Sequence, residues 1–176
     1  VYSPSSYEGL KHAMQQALYS ESKLVAVRYP RGAQRAIPES IKPTFEDFDV
    51  FGDEKAEKAI VTYGRTFSAC AFAYEKLLNA GESVKLIKLN RIIPVCEGAV
   101  EAAKTCKDIY FFEEGIRRGG AGEGFLFDLS KAGFGGKYHL RAIENGFVKQ
   151  ASVESLLHEY GFDEEGVLSF VTSSED

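Results

Sequence analysis

The stretch AIVTYGRTFSACAFAYEKLLNAGESVKLIKL, residues 59–89, decides the fold. Ala59–Tyr63 is a short apolar run with β-branched residues that stops at Gly64, which reads as a buried strand. A helix is expected over 67–79, closed by Gly81, where a left-handed residue ends helices well. Val84–Leu89 is a second strand of the same kind. The rhythm then repeats. A helix is expected over 97–105, a strand over 108–113 (DIYFFE), a helix over 121–131 and a strand over 137–143 (KYHLRAI). Val153, Leu156, Leu157 and Tyr160 share one face of a helix over 152–160, and Asp163 can cap a last one over about 164–171. Strands alternating with helices predict an α/β domain whose mostly parallel sheet is covered on both faces.

Upstream of residue 58 the pattern is thinner. Ser5 and Glu8 fit a capping box ahead of an amphipathic helix over 6–19, and Leu24–Val27 reads as a buried strand running to residue 28. Residues 32–57, with Pro38, Pro43 and a mixed acidic stretch, read as a linker with a strand near 48–51. The chain starts Val1-Tyr2-Ser3-Pro4 without Met and runs at once into a helix, which reads as a fragment entered in mid-domain.

The 176 residues suffice for one core, and 44% hydrophobic with 27% charged residues is ordinary for a soluble globular chain. A net charge of −5 argues against a general nucleic-acid or membrane-surface role. No apolar run approaches the ~20 residues of a transmembrane helix. Cys70, Cys96 and Cys106 include no CxxC and read as free thiols of a reducing cytoplasm. His12, His139 and His158 are scattered, so no metal site is expected from this chain alone.

The richest loop is EEGIRRGGAGEGF, residues 113–125. Glycines opening a helix after a strand suggest a phosphate cradle. The spacing Gly120-x-Gly122-x-Gly124 is neither GxGxxG nor a P-loop and favours a tight loop packed against a neighbour. Glu113 and Glu114, adjacent on a strand, point to opposite faces and do not form an acid–base pair. One is expected to be exposed and the other to pair with Arg117 or Arg118. Ser68, Ser152 and Ser155 lack a nucleophile-elbow context and read as caps or surface residues, Cys70 as packing, and His139 as a residue at the sheet surface. No catalytic residue is assigned.

Arg28 and Arg31, in RYPRG, stand apart. Pro30 and Gly32 restrain them at the end of the expected strand, and arginine suits bidentate recognition of phosphate or carboxylate. A surface ion pair accounts for them equally well.

The ordered set AVRYPRG, AIVTYG, VKLIKLNRIIP, FFEEGIRRGGAGEGF and NGFVKQASVESLLHEYGFDEEGVLSFV resembles the C-terminal part of the 1-deoxy-D-xylulose-5-phosphate synthase family, thiamine-diphosphate enzymes of the transketolase superfamily. The resemblance implies a three-layer α/β/α sandwich with a five-stranded sheet, one strand antiparallel. It implies that residues 1–31 end a pyrimidine-binding domain, that 32–57 link, and that 58–176 form the transketolase C-terminal domain. It also implies condensation of pyruvate with glyceraldehyde 3-phosphate with loss of carbon dioxide, in isoprenoid precursor synthesis. Arg31, with Arg28, would then bind the substrate phosphate.

Thiamine diphosphate and Mg2+ would serve the full-length enzyme, held by upstream motifs that match nothing in 1–176, so this fragment alone would bind neither and would be an inactive assembly module. Upstream domains and a second copy would be its partners. The chain departs from the family pattern at Asn90–Cys96 and at Glu144-Asn145 before Gly146-Phe147. The beta subunit of 2-oxo-acid dehydrogenases, a transketolase, and a stand-alone non-catalytic α/β module are the other readings.

Overall fold

The computed structural model describes residues 1–20, 24–144 and 146–173. Its elements in chain order are α1 (Tyr7–Gln15) with a π-helical turn Gln16–Ser20, β1 (Phe48–Phe51), β2 (Lys58–Tyr63), α2 (Thr66–Asn79), β3 (Val84–Leu89), α3 (Glu97–Lys104), β4 (Asp108–Ile116), α4 (Ala121–Lys131), β5 (Lys137–Ile143), α5 (Val153–Glu159) and α6 (Glu164–Ser173). The five strands form one sheet in the order β1-β3-β2-β4-β5. Pairing is parallel except where β1 runs antiparallel to β3, Phe48 opposite Leu89 and Phe51 opposite Leu86.

Strand side chains alternate between two cores. Ile60, Leu86, Tyr110 and Phe112 pack with Phe67, Cys70 and Leu77 of α2, Leu157 of α5, and Val167 and Val171 of α6. Val61, Ile87, Leu89 and Phe111 pack on the other face with Ala99, Val100 and Ala103 of α3 and Phe125 and Leu129 of α4. The three-layer α/β/α sandwich with a mostly parallel five-stranded sheet is therefore as expected, including the single antiparallel strand.

Two lysines inside β3 complete the sandwich. Lys85, 2% exposed, donates to the carbonyls of Glu54 at 2.7 Å and Ala102 at 3.0 Å and to Thr105 Oγ1 at 3.1 Å, closing the carboxyl end of α3. Lys88, fully buried, bonds Asn90 Oδ1 and faces Asp49 Oδ2 of β1 at 3.6 Å, with its ammonium 5.1 Å from the Phe67 ring centroid. Asp49 also takes the Thr44 amide at 2.7 Å and hydroxyl at 2.6 Å. Burial pushes the Lys88 ammonium down to about 8, against the attraction of Asp49.

Several details differ from expectation. The buried strand expected over 24–28 does not form. Leu24 is fully exposed, and only Val27 pairs, through a parallel bridge to Tyr2. An apolar run becomes a strand only where a neighbour completes its ladder, and among the described residues Tyr2 alone does so here. Tyr2 also bridges Arg91, so it stitches 26–28 to the segment after β3. The α1 cap is Ser6, whose hydroxyl accepts from the Gly9 amide at 3.0 Å, not Ser5. Within 32–57 the strand expected near 48–51 does form, as β1. β4 extends three residues past the expected end, to Ile116.

Candidate functional site

The connections place the site. From β2 the chain moves to β3 on one side, then crosses to β4 on the other, and α2 and α4 leave β2 and β4 on opposite faces. The sheet therefore opens between the carboxyl ends of β2 and β4, the usual ligand crevice of open α/β sheets. Here lies a cleft of ≈ 390 Å³ bordered by Arg28, Arg31, Tyr63, Arg65 and Glu114.

Its floor is built from β2 and β4. Gly64, at φ 59°, turns the chain out of β2 and lies close enough to Ser3 that a Cβ would stand 3.0 Å from the Ser3 hydroxyl. Tyr63, 4% exposed, donates its phenol to Glu113 Oε2 at 2.9 Å. Burial, then the Glu113 charge, hold that phenol well above its ordinary range. Glu113, 1% exposed, also accepts the amides of Ala121 at 2.9 Å and Gly122 at 3.1 Å, the first turn of α4. Burial raises its carboxyl above the usual range, against those donors and Arg28.

The glycine loop exists for this carboxylate. A Cβ on Gly120 would stand 2.5 Å from Glu113 Oε1 and 2.4 Å from the Ile116 carbonyl. The tight-loop reading is therefore the right one, and the anion seat at the start of α4 is filled from inside the chain. That seat does not fit the diphosphate of a cofactor.

The rim carries the arginines. The Arg28 guanidinium lies 5.7 Å from the Tyr63 ring centroid, within cation–π reach. Arg65 pairs with Glu114 at 3.3 Å and donates to the Arg31 carbonyl at 3.4 Å, so it ties the 28–32 segment to the sheet. Arg31 is exposed, and it borders both this cleft and a second of ≈ 400 Å³ towards Arg35 and Ser68. Arg28 and Arg31 thus border one cleft. With Arg65 they make three arginines to one glutamate, Glu114, on the border of this cleft, a charge balance suited to an anion.

The pairing expected for Glu113 and Glu114 is corrected. Glu114 meets Arg65, Arg117 meets Glu144 at 2.7 Å, and Glu113 is a buried helix cap. Tyr63 and Arg65 were not singled out from sequence. The signal available was their place in Tyr63-Gly64-Arg65, at the carboxyl end of the strand that borders the switch point. Cys70 is buried packing, its thiol pushed up to about 12 by desolvation, and Ser68 and Ser152 bond backbone groups. His139 is half-buried, stacked on Tyr110 and 3.1 Å from Asp108. Of the departures from the family pattern, Asn90 bonds Asp49 and Arg91 pairs with Asp47, away from the cleft. Asn145 lies outside the described residues.

Residues 52–167 match the family described as the transketolase C-terminal domain. The chain belongs to that family. Curated relatives carry the name 1-deoxy-D-xylulose-5-phosphate synthase. The protein of Bacteroides fragilis is 27% identical over 99% of this chain and 28% of its own length. That of Bacillus mycoides is 30% identical over 90% of this chain and 26% of its own. That of Corynebacterium jeikeium is 24% identical over 95% and 27%. This transketolase C-terminal chain therefore spans about a quarter of the length of the relatives it matches. A solved split-gene transketolase, described as an inactive β4 tetramer, superimposes with a TM-score of 0.77 over 98% of this chain and 55% of its own, at 19% identity. That likeness speaks for the fold alone. Among the described residues, no helix is long and apolar enough to cross a membrane.

Proposed function

We propose that this chain is the C-terminal portion of a 1-deoxy-D-xylulose-5-phosphate synthase and that its cleft holds the phosphate of glyceraldehyde 3-phosphate. Three arginines bordering one cleft at the switch point carry the reading. Arg31 and Arg28 are the phosphate ligands, and Arg65 holds the segment that bears them. The full-length enzyme condenses this acceptor with pyruvate, losing carbon dioxide, in the cytoplasm. Thiamine diphosphate and Mg2+ are held by domains that this chain does not include, so the chain alone is inactive. Leu18, Tyr19 and Leu24, all well exposed, support packing of residues 1–31 into a neighbouring pyrimidine-binding domain, with 32–57 leading to the C-terminal domain. A homodimer completes the assembly.

The test is Arg31→Ala in the full-length enzyme. A charge-assisted contact of roughly 1.5–3 kcal/mol predicts a fall of about 10- to 100-fold in kcat/KM for glyceraldehyde 3-phosphate. Arg31→Lys recovers part of it, because lysine lacks the planar fork. An equal loss with a non-phosphorylated aldehyde acceptor refutes the assignment.

A further inference from the structure

Arg28 reaches the cleft from a backbone held by few bonds, chiefly its own amide to the Tyr2 carbonyl at 2.8 Å. Its side chain is exposed. A side chain so placed samples many rotamers unless something beneath selects one. Beneath it lies the Tyr63 ring, 5.7 Å from centroid to guanidinium carbon. That ring is itself locked, because its hydroxyl is 2.9 Å from Glu113 Oε2 and Glu113 is pinned by the first two amides of α4. One line of contacts therefore runs from a helix end through a buried carboxylate and a phenol to the guanidinium.

We propose that Tyr63 and Glu113 are positioning residues that set Arg28 for anion binding. The inference rests on the phosphate-binding reading above. Within cation–π reach of the ring, the guanidinium is held beside the cleft, where its N–H fork can meet a bidentate anion. The Glu113 charge behind the ring favours the cation at that place, and its burial keeps it from competing with the anion directly. Tyr63 and Glu113 thus support a ligand that they do not border as charges. The glycines at 120 and 122 are part of the device, since each leaves room for the Glu113 carboxylate.

The experiment uses this chain, inorganic phosphate as probe, and NMR of the arginine side chains. In the wild type, the ring current of Tyr63 displaces the Arg28 side-chain proton shifts, and phosphate perturbs them further. Tyr63→Leu abolishes the ring-current displacement and weakens phosphate binding by about 2- to 5-fold, the size of an exposed cation–π contact. Arg28→Ala then costs less in the Tyr63→Leu background than alone, because the two act as a unit. Tyr63→Phe keeps the packing and frees the ring from Glu113, so the shift and the affinity both fall in part. It carries the test if Tyr63→Leu does not fold. An Arg28 signal that neither variant moves overturns the proposal, as does full additivity of the cycle in folded variants. A wild type that ignores phosphate while Arg28 shows the Tyr63-dependent shift overturns the phosphate reading and leaves the positioning intact.

Discussion

Gly122 and Gly124 sit two residues apart in the first turns of α4, and alanine should stabilise the chain at Gly124 but not at Gly122. Both lie in helical backbone, where glycine costs about 0.8–1 kcal/mol relative to alanine. A Cβ on Gly124 would meet nothing within 4 Å, and the position is exposed, so Gly124→Ala should gain most of that amount. A Cβ on Gly122 would stand 2.5 Å from Leu140 Cδ1, 3.0 Å from Glu113 Oε1 and 3.0 Å from Phe111 Cδ1. Leu140 can swing aside. Phe111, fully buried, and Glu113, held by three donors, cannot. Overpacking of this kind costs roughly 1–3 kcal/mol, so Gly122→Ala should come out neutral to about 2 kcal/mol destabilised. The gap between the two variants is the clash itself, roughly 1–3 kcal/mol, and a chain of this size shifts Tm by roughly 2–4 °C per kcal/mol. Thermal melts by circular dichroism, with urea unfolding as a second measure, read it directly. If the two variants melt together, the fit of α4 against Glu113 is not what makes residue 122 a glycine.

Other outcomes follow from the buried charges. The Glu113 carboxyl titrates above its ordinary 4.5 when folded, so its contribution is fully present below that pH and is lost as pH rises through the folded value. The stability lead of wild type over Glu113→Gln should shrink as pH rises above 4.5 in urea titrations, and a lead that grows contradicts the sign. Lys88 behaves the other way. Its folded value of about 8 lies below the ordinary 10.5, so its contribution is present above the latter and lost as pH falls through the former. The wild type should gain on Lys88→Met by roughly 1 kcal/mol or more between pH 7 and 10, measured as the difference of unfolding free energies. Finally, iodoacetamide should modify half-buried Cys96 first, and Cys70 and Cys106 only on unfolding, as followed by mass spectrometry. Early labelling of Cys70 would mean that the α2 face opens locally.

The sandwich was legible because its periodicities are local. α4 and β5 fall where the pattern put them, to the residue, since apolar spacing and flanking glycines mark both ends. A strand near 48–51 could be seen, and the family resemblance implied one antiparallel strand, but that the two are the same was not legible, because direction depends on which neighbour accepts the strand. The same limit defeated the strand at 24–28, where composition was right and a ladder was lacking. In the site, RYPRG marked Arg28 and Arg31, but the buried strand expected to restrain them does not form. Glu113 was not legible, because its partners lie 50 residues upstream in Tyr63 and 8 or 9 downstream in α4, and only the sheet register brings them together. Ser5 and Ser6 differ by one position, and the choice fell to backbone geometry that no spacing encodes.

The Tyr2 stitch has a mechanical side. Residues 1–3 are joined to 26–28 and 90–92 by a few main-chain bonds, among them Tyr2 N–H to Ala26 O at 2.9 Å, Arg28 N–H to Tyr2 O at 2.8 Å and Ser3 N–H to Asn90 O at 2.8 Å. Each such bond contributes only about 0.5–1.5 kcal/mol net. A load on residues 24–31 would therefore peel this seam one bond at a time. β2 and β4, paired in parallel register along Lys58–Thr62, would have to shear as a block. Under tension the cleft works as a jaw with one loose lip. Arg28 and Arg31 ride on the lip that gives, while Tyr63, Arg65 and Glu113 stay fixed in the jaw that does not.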